Sequence, residues 1–296
     1  MTSRTRGIQN TKLLIDALAK NMPIAAFDAA TSGAFDTICY GTLVTPKGRG
    51  SLDWYSGPVD KPEAKMSEPD MIDMAYALGD AIRNGMTVIG WGTTMFDFRI
   101  MYCECRAKDE IAFVAANHID LQLYAIYVSG LLPSLYHTAT ANGRLVHLEG
   151  AAPDMKIPGL WRKGGRGRVK SVVLSLLSNA AMTINLFARG TKRICNDSAW
   201  IDHTLTHKDW KRTGSFLDSF MDLIEDENDA VFRKVHRNCR WLSDHAGDGG
   251  TLRLLSERRR SKDDDDGNKE TWLDLLAKKF PDGVPRNGIP FQIAPH

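Results

Sequence analysis

The chain has 296 residues, 43% of them hydrophobic and 25% charged, with 25 Gly, 12 Pro and a net charge of +2. These values lie near the globular average, which excludes collagen-like, low-complexity and wholly disordered chains and leaves room for one large domain or two. The near-neutral balance also excludes a protein that grips polyanions with its whole surface, so any such role falls to local patches.

The five cysteines (Cys39, Cys103, Cys105, Cys195, Cys239) form no Cys-x-x-Cys pair, so reduced thiols are expected rather than a disulfide framework or a zinc ribbon. No apolar run reaches the ~18 residues of a membrane helix, and Arg4 and Arg6 are followed by no signal-like apolar stretch. The expectation is a soluble cytoplasmic protein with no membrane partner.

In chain order, residues 10–20 pattern as a short amphipathic helix with Asn10 at its N-cap. Residues 23–28 read as a buried strand ending in the carboxylate of Asp28, and Thr31-Ser32-Gly33 as a turn. Residues 37–44 and 51–55 read as two more strands joined by the Pro46–Gly50 turn. Ser67, Glu68 and Pro69 start a helix over 67–84, with Met71, Met74, Ala75, Leu78 and Ile82 at helical spacing and Gly85 just past its end. Residues 86–91 read as a second buried strand, followed by a helix over about 94–106 opened by a Thr94-x-x-Asp97 capping box. Residues 118–128 read as a strand, because His118, Asp120, Gln122 and Tyr124 alternate with Ile119, Leu121, Leu123 and Ala125. Helical patterns follow at 132–142 and 167–189. Meander strands followed by strands alternating with helices predict an α/β domain with a mixed sheet.

Beyond residue 210 the composition changes. Residues 215–233 are acidic and helical in pattern, and Arg258-Arg259-Arg260-Ser261-Lys262 runs into four aspartates as a solvated linker before a short helix at 270–280. The expected organisation is an N-terminal helix over 1–21, an α/β domain over 22–210 and a mainly helical extension over 211–296. The acidic helix is a candidate protein-contact surface.

Three carboxylates recur at element ends: Asp28, Asp97 and Asp120. With them the chain resembles the DEDD-type 3′–5′ exonucleases of the ribonuclease H-like superfamily. The segment FDAATSG (27–33) looks like the first motif, Phe-Asp-x-Glu-Thr-x-Gly. GWGTTMFDFRIM (90–101) looks like the second, and HIDL with Gly130 and Ser134-Leu135 matches the stretch after it. The third motif, Tyr-x-x-x-Asp, falls in 167–187. The resemblance covers about 22–200 and implies a five-stranded mixed sheet flanked by helices and a site that hydrolyses phosphodiesters with two Mg²⁺ or Mn²⁺ ions. Such ions hold the attacking and leaving oxygens, and hard oxygen ligands hold the ions.

The chain departs from that pattern at three positions. Ala30 stands at the first-motif Glu, Asn179 at the third-motif Asp, and Ser175 at the Tyr that orients the attacking water. Of the four metal-holding carboxylates, Asp28 and Asp97 remain, with Asp120 as a further candidate ligand. Losing even a group that only orients a ligand costs ~10–100-fold in metal affinity or activity, so the resemblance implies catalysis weakened or lost, a pseudoenzyme. Asp36, Asp197 and Asp202 are other possible substitutes. A second placement of the third motif, near Ser243-Asp244 and Asp248 with Gly250-Thr251-Leu252, requires a long insertion and is disfavoured.

Arg162, Lys163, Arg166 and Arg168, with Lys170 and Trp161, pack five cations and an indole into ten residues, a pattern suited to a phosphate backbone with Trp161 stacking on a base. The bland alternative is a solvated loop. His203-x-x-x-His207 puts two imidazoles on one face if helical, but with no clear third ligand it reads as structural. The expected partner is a single nucleic-acid strand or a strand end. A non-catalytic nucleic-acid-binding module, or a protein-interaction scaffold, is the alternative on the same fold.

Overall fold

The computed structural model describes residues 23–32, 37–46, 51–56, 65–224 and 229–246. The helix expected at 10–20, the tip of the first hairpin and the charged linker with its following helix lie outside these residues.

Three strands form the meander: β1 (Ile24–Thr31), β2 (Ile38–Val44) and β3 (Ser51–Tyr55). Helix α1 (Glu68–Arg83) leads to β4 (Thr87–Gly90), and helices α2 (Asp97–Glu104) and α3 (Lys108–Asn117) lead to the two-residue β5 (Ile119–Asp120). The sheet order is β3-β2-β1-β4-β5, with β1 antiparallel to β2 and parallel to β4, which is parallel to β5. This is an α/β protein with a five-stranded mixed sheet flanked by helices, an arrangement compatible with the ribonuclease H-like fold. Then come α4 (Leu121–Ser129), α5 (Leu135–Ala141), α6 (Ile157–Lys163), α7 (Arg166–Arg189), the hairpin β6 (Thr191–Cys195) and β7 (Trp200–Leu205), and helices α8 (Leu217–Ile224) and α9 (Ala230–Ala246).

Helix α1 starts where its sequence says it should. Ser67 caps it by accepting from Asp70 N–H at 3.3 Å, Glu68 and Asp70 complement the N-terminal dipole, and Arg83 the C-terminal one. Its apolar face (Met71, Met74, Ala75, Leu78, Ile82) is buried. Arg83 reaches across to Glu110 of α3 with two bonds of 2.8 and 2.6 Å, so the two helices on this side are tied together as well as packed.

The opposite face of the sheet is covered by α7, which packs on β1, β2 and α6. By length and composition α7 could cross a membrane, which the apolar-run expectation missed; yet 56% of its apolar window is buried here, and it serves as a core helix. Strand alternation divides β1 between the two sides. Phe27 points to α2 and stacks on Phe98, with centroids 5.3 Å apart and planes 6° from parallel. Ala30 points the other way, into a second apolar cluster with Tyr40, Trp161, Val172 and Leu176.

Four local expectations are corrected. Strand β1 does not end at Asp28 but continues to Thr31, paired with β2 from Ala26 onward with a register shift after Ala30. The strand expected over 118–128 is two strand residues followed by a helix. Every residue of α4 is buried, so its apolar pattern carries no helical stripe, while Asp120 caps it by accepting from Leu123 N–H and Gly130 closes it at φ +68°. The Thr94-x-x-Asp97 capping box does not form, since Phe96 is the N-cap and makes no side-chain bond. His203 lies on strand β7 and His207 on the turn after it, so the two share no helical face.

The helices after residue 210 are not peripheral. Phe216, Phe220, Val235, Cys239 and Leu242 belong to the main core cluster. Helix α9 lies on α2 and α3: Trp241 Nε1–H donates to the Thr94 carbonyl at 3.2 Å, and Arg99 donates to Asn238 at 2.8 Å.

Candidate metal centre

The candidate site lies at the carboxyl end of the parallel strands, where the β4–α2 turn leaves the sheet. This is the usual place for ligands in open α/β sheets, because successive connections diverge there. The β1–β4 ladder stops at Ala26↔Ile89, so Asp28 stands two residues beyond it. Asp97 opens α2. The residues beside these two, Phe27 and Phe98, are the stacked pair described above, which holds the two carboxylates in fixed relation. Such a contact is worth about 0.5–1.5 kcal/mol beyond its burial.

The two carboxyls are near enough for the charge of one to act on the other. Asp97 is held well above the ordinary carboxylate range, first by burial, then by the charges of Asp28 and Asp120. Asp28 is pushed up to about 7, first by burial and then by the charge of Asp154, with Asn179 and the Ala29 N–H partly offsetting the rise. Asp28 Oδ1 accepts from Ala29 N–H at 3.1 Å; Oδ2 is sealed from solvent and, among the described residues, makes no direct hydrogen bond, with Asn179 the side chain that favours its charged form. An orphaned buried carboxylate oxygen is costly unless something else satisfies it.

Helix α7 supplies the wall facing Asp28. Ser175 and Asn179 are one turn apart and share a face; Asn179 is turned to Asp28, while Ser175 Oγ donates to Asp154 Oδ1 at 3.2 Å. The third-motif placement over 167–187 thus brings its two positions to the site. In the other placement, Asp244 is an exposed residue of α9 paired with Arg240 at 3.4 Å, and Asp248 is outside the described residues.

Asp120 is adjacent but differently used. Its carboxylate accepts from Gly92 N–H at 2.8 Å, Thr94 N–H at 2.9 Å and Leu123 N–H at 3.1 Å, so both oxygens are committed to backbone donors. Gly92 is required here: its φ is +75°, and a Cβ would fall 2.3 Å from Gln122 Oε1. His118 completes the brace. Its Nδ1–H donates to the Ala115 carbonyl at 2.8 Å, which leaves Nε2 to accept from the Thr93 hydroxyl at 2.8 Å, and burial lowers its pKa so that the ring stays neutral. Asp120 and His118 therefore shape the turn that presents Asp97.

The other expected residues divide clearly. Ala30 is 3% exposed and walled in by apolar groups. Trp161 is fully buried: it stacks on Tyr40 and Tyr55, and its Nε1–H donates to Ser56 at 3.0 Å, so it has no face left for a nucleobase. Its length and isolation among cations suggested stacking, but α6 turns it inward. Arg162, Lys163, Arg166, Arg168 and Lys170 are all exposed around the α6–α7 junction. Seven residues of helix, about 10 Å, separate Arg168 from Ser175. Asp197 and Asp202 lie exposed on the β6–β7 hairpin, Asp202 paired with Arg193 at 2.6 Å, while Asp36 is outside the described residues. Asp154 was not anticipated; it opens a short 3₁₀ turn (Asp154–Lys156) just after Pro153, and nothing local in the sequence marks it.

The residues present suit a divalent cation only in part. Asp28 offers an unpartnered oxygen, Asp97 a second carboxyl, and Asn179 a neutral oxygen, a hard donor set of the kind Mg²⁺ or Mn²⁺ takes with water and phosphate completing the shell. Among the described residues no three His, Cys, Asp or Glu side chains are gathered to hold an ion by themselves. The set does not fit a two-ion cage. Comparison with family models, with curated proteins and with solved structures gives no match.

Proposed function

We propose that the chain is a 3′–5′ exonuclease-like protein that binds the end of a single nucleic-acid strand at this site, with hydrolysis weak or lost. The observation that carries the reading is the convergence of Asp28 and Asp97, from distant parts of the sequence, around a buried oxygen with no partner. Asp28, Asp97 and Asn179 would hold one Mg²⁺ or Mn²⁺, which supplies Lewis-acid attraction for a phosphate oxygen. The protein's own contributions are to keep the carboxyls converged, to exclude water from Oδ2, and to take up or release the protons that compete with the cation. No described carboxylate stands at position 30, and Ser175 lacks the reach of a tyrosine, so the means to hold and aim an attacking water are reduced.

The test is digestion and binding of end-labelled single-stranded DNA and RNA with Mg²⁺ or Mn²⁺. Cation-dependent binding that Asp97→Asn abolishes, with little trimming, is the expected result. Robust trimming that disappears in Asp97→Ala would overturn the loss of catalysis. The exposed cations at the α6–α7 junction favour a second reading, a binding module that does not use the carboxylates. It is marked by salt-sensitive, cation-independent binding that survives Asp28→Asn and falls when Arg162, Lys163, Arg166 and Arg168 are neutralised.

A further inference from the structure

We infer that the outer face of α9 is a binding surface for the phosphate backbone of a nucleic-acid strand, gripped by Arg233, Arg237 and Arg240. The inference goes beyond the reading of the Asp28 and Asp97 site. It concerns a different element, and it holds whether or not those carboxylates take a cation.

The charge beyond residue 210 is divided between two helices. Helix α8 carries Asp218 and Asp222, whereas α9 carries Arg233, Lys234, Arg237 and Arg240 against the single carboxylate of Asp244. The helical period sorts the side chains of α9 into three stripes. Val235, Cys239 and Leu242 are buried in the core. Lys234, Asn238 and Trp241 face α2 and the turn before it. The Lys234 ammonium lies 5.7 Å from the centre of the Phe96 ring, Asn238 accepts from Arg99, and Trp241 donates to the Thr94 carbonyl. Arg233, Arg237 and Arg240, four and three residues apart, make the third stripe, and all three are exposed. Seven residues of helix spread them over about 10 Å.

Their charge is largely unspent. Among the described residues only Arg240 of the three pairs with a carboxylate, Asp244 at 3.4 Å, and with both side chains 64% exposed that pair is worth little in water. A helix face that served solubility alone would interleave both signs. The stripe is also well placed. Its neighbour on α9 is fixed to Phe96 and Thr94, in the turn that presents Asp97, so the guanidiniums border the candidate site on a rigid mount. A phosphate chain approaching ionised carboxyls is repelled by them, and a row of positive charge beside them offsets that repulsion. The residue type matters too: a guanidinium offers phosphate two parallel N–H donors, which an ammonium does not. The cations of the α6–α7 junction belong to the helices on the opposite face of the sheet, so the two basic surfaces can be tested apart.

The test is fluorescence-anisotropy binding of a fluorescein-labelled single-stranded 20-mer to the full chain, over a salt series in EDTA. Changing Arg233, Arg237 and Arg240 together to Gln is expected to weaken binding at least about 10-fold at low salt and to lower the salt slope by up to about 2, near 0.7 for each phosphate contact. The triple Arg→Lys variant keeps the charges and should keep the slope, which separates loss of charge from loss of fold. Lys192, Lys208 and Lys211, exposed cations in and after the β6–β7 hairpin, provide the control for net charge. Their triple Gln variant should bind within about 2-fold of wild type. An equal loss in that control, a slope lost with lysines in place, or unchanged binding in the α9 Gln variant each overturns the inference. A poly-aspartate peptide that displaces the 20-mer as well as unlabelled strand does, at equal charge concentration, would mean that the stripe takes acidic protein segments instead. If Asp97→Asn abolishes Mn²⁺-dependent strand binding while the α9 Gln variant binds as wild type, the proposed site stands and only this surface fails.

Discussion

Asp28 and Asp120 are the same residue type, each at the carboxyl edge of a parallel strand, and each adds charge to the surroundings of Asp97. Their hydrogen bonding sets them apart. Asp120 accepts from three backbone N–H groups and belongs to the architecture. Asp28 accepts from one and keeps a buried oxygen with no direct hydrogen bond among the described residues. A fully satisfied buried carboxylate rigidifies a turn; a half-satisfied one is a standing cost, tolerated where a ligand completes it. Substitutions at the two positions should therefore differ in kind.

The largest effect is expected at Asp120. Asp120→Ala leaves the Gly92, Thr94 and Leu123 N–H groups unpaired inside the protein, a loss on the order of 3–5 kcal/mol in urea unfolding. Asp28→Asn removes a desolvated charge and should cost nothing, or stabilise, at pH 8. Equal destabilisation by the two would break the comparison.

Next in size is the apparent repair of the site. Ala30→Glu would force a carboxylate and extra volume among Tyr40, Trp161, Val172 and Leu176, costing about 3 kcal/mol and leaving Mn²⁺ affinity no better. Tightened binding with wild-type stability would show that the Trp161 cluster yields and that position 30 is a ligand position after all.

A third effect is the pH dependence of the cation-free protein. Asp28 has its folded pKa raised to about 7, so the native state binds the proton more tightly than the unfolded chain. That contribution is fully present below the unfolded value of about 4 and is lost as pH rises through the folded one. Between pH 5 and 7.5 stability should fall by about 2–3 kcal/mol from this group. Asp28→Asn should remove that fall, and saturating Mn²⁺ should reverse it, because the ion takes the deprotonated form. Asp97, raised for similar reasons, adds to the slope. A profile unchanged by Asp28→Asn would mean that its carboxyl titrates as an exposed one.

How far the sequence predicts this arrangement depends on whether a signal is local. The mixed sheet follows from the meander and the strand–helix alternation, and α1 from its cap and apolar stripe. The pair FD and FDF marks the site because each aspartate is next to a phenylalanine that joins the same stack. Helix α4 escaped because a helix buried all round has no periodic face; its boundaries were nonetheless written in Asp120 and Gly130. Asp154 has no such trace, since only the docking of α7 on β1 brings it near Asp28. Trp161 failed for a related reason: composition places an indole among cations, but the direction of its ring is decided by Tyr40 and Tyr55, more than a hundred residues earlier.

The smallest stability effect is expected at the α6–α7 junction, and its value lies in that smallness. Arg162, Lys163, Arg166 and Arg168 are exposed, and among the described residues their side chains donate only to backbone carbonyls nearby in the chain, Arg162 to Pro158 at 3.4 Å and Arg168 to Gly164 at 3.2 Å and Lys163 at 3.5 Å. Replacing the four by Ser should move unfolding by no more than about 0.5 kcal/mol per residue, because no buried partner is lost. If the junction tracks a phosphate backbone, the same variant should weaken single-strand binding and flatten its dependence on salt by up to about 0.7 per phosphate contact removed. Because the segment lies some turns of α7 from Ser175, its loss should leave Mn²⁺ affinity untouched, whereas Asp97→Asn should remove Mn²⁺ binding and leave the salt slope in place. Strand-binding variants that change both together would mean that the cations and the carboxylates form one surface rather than two.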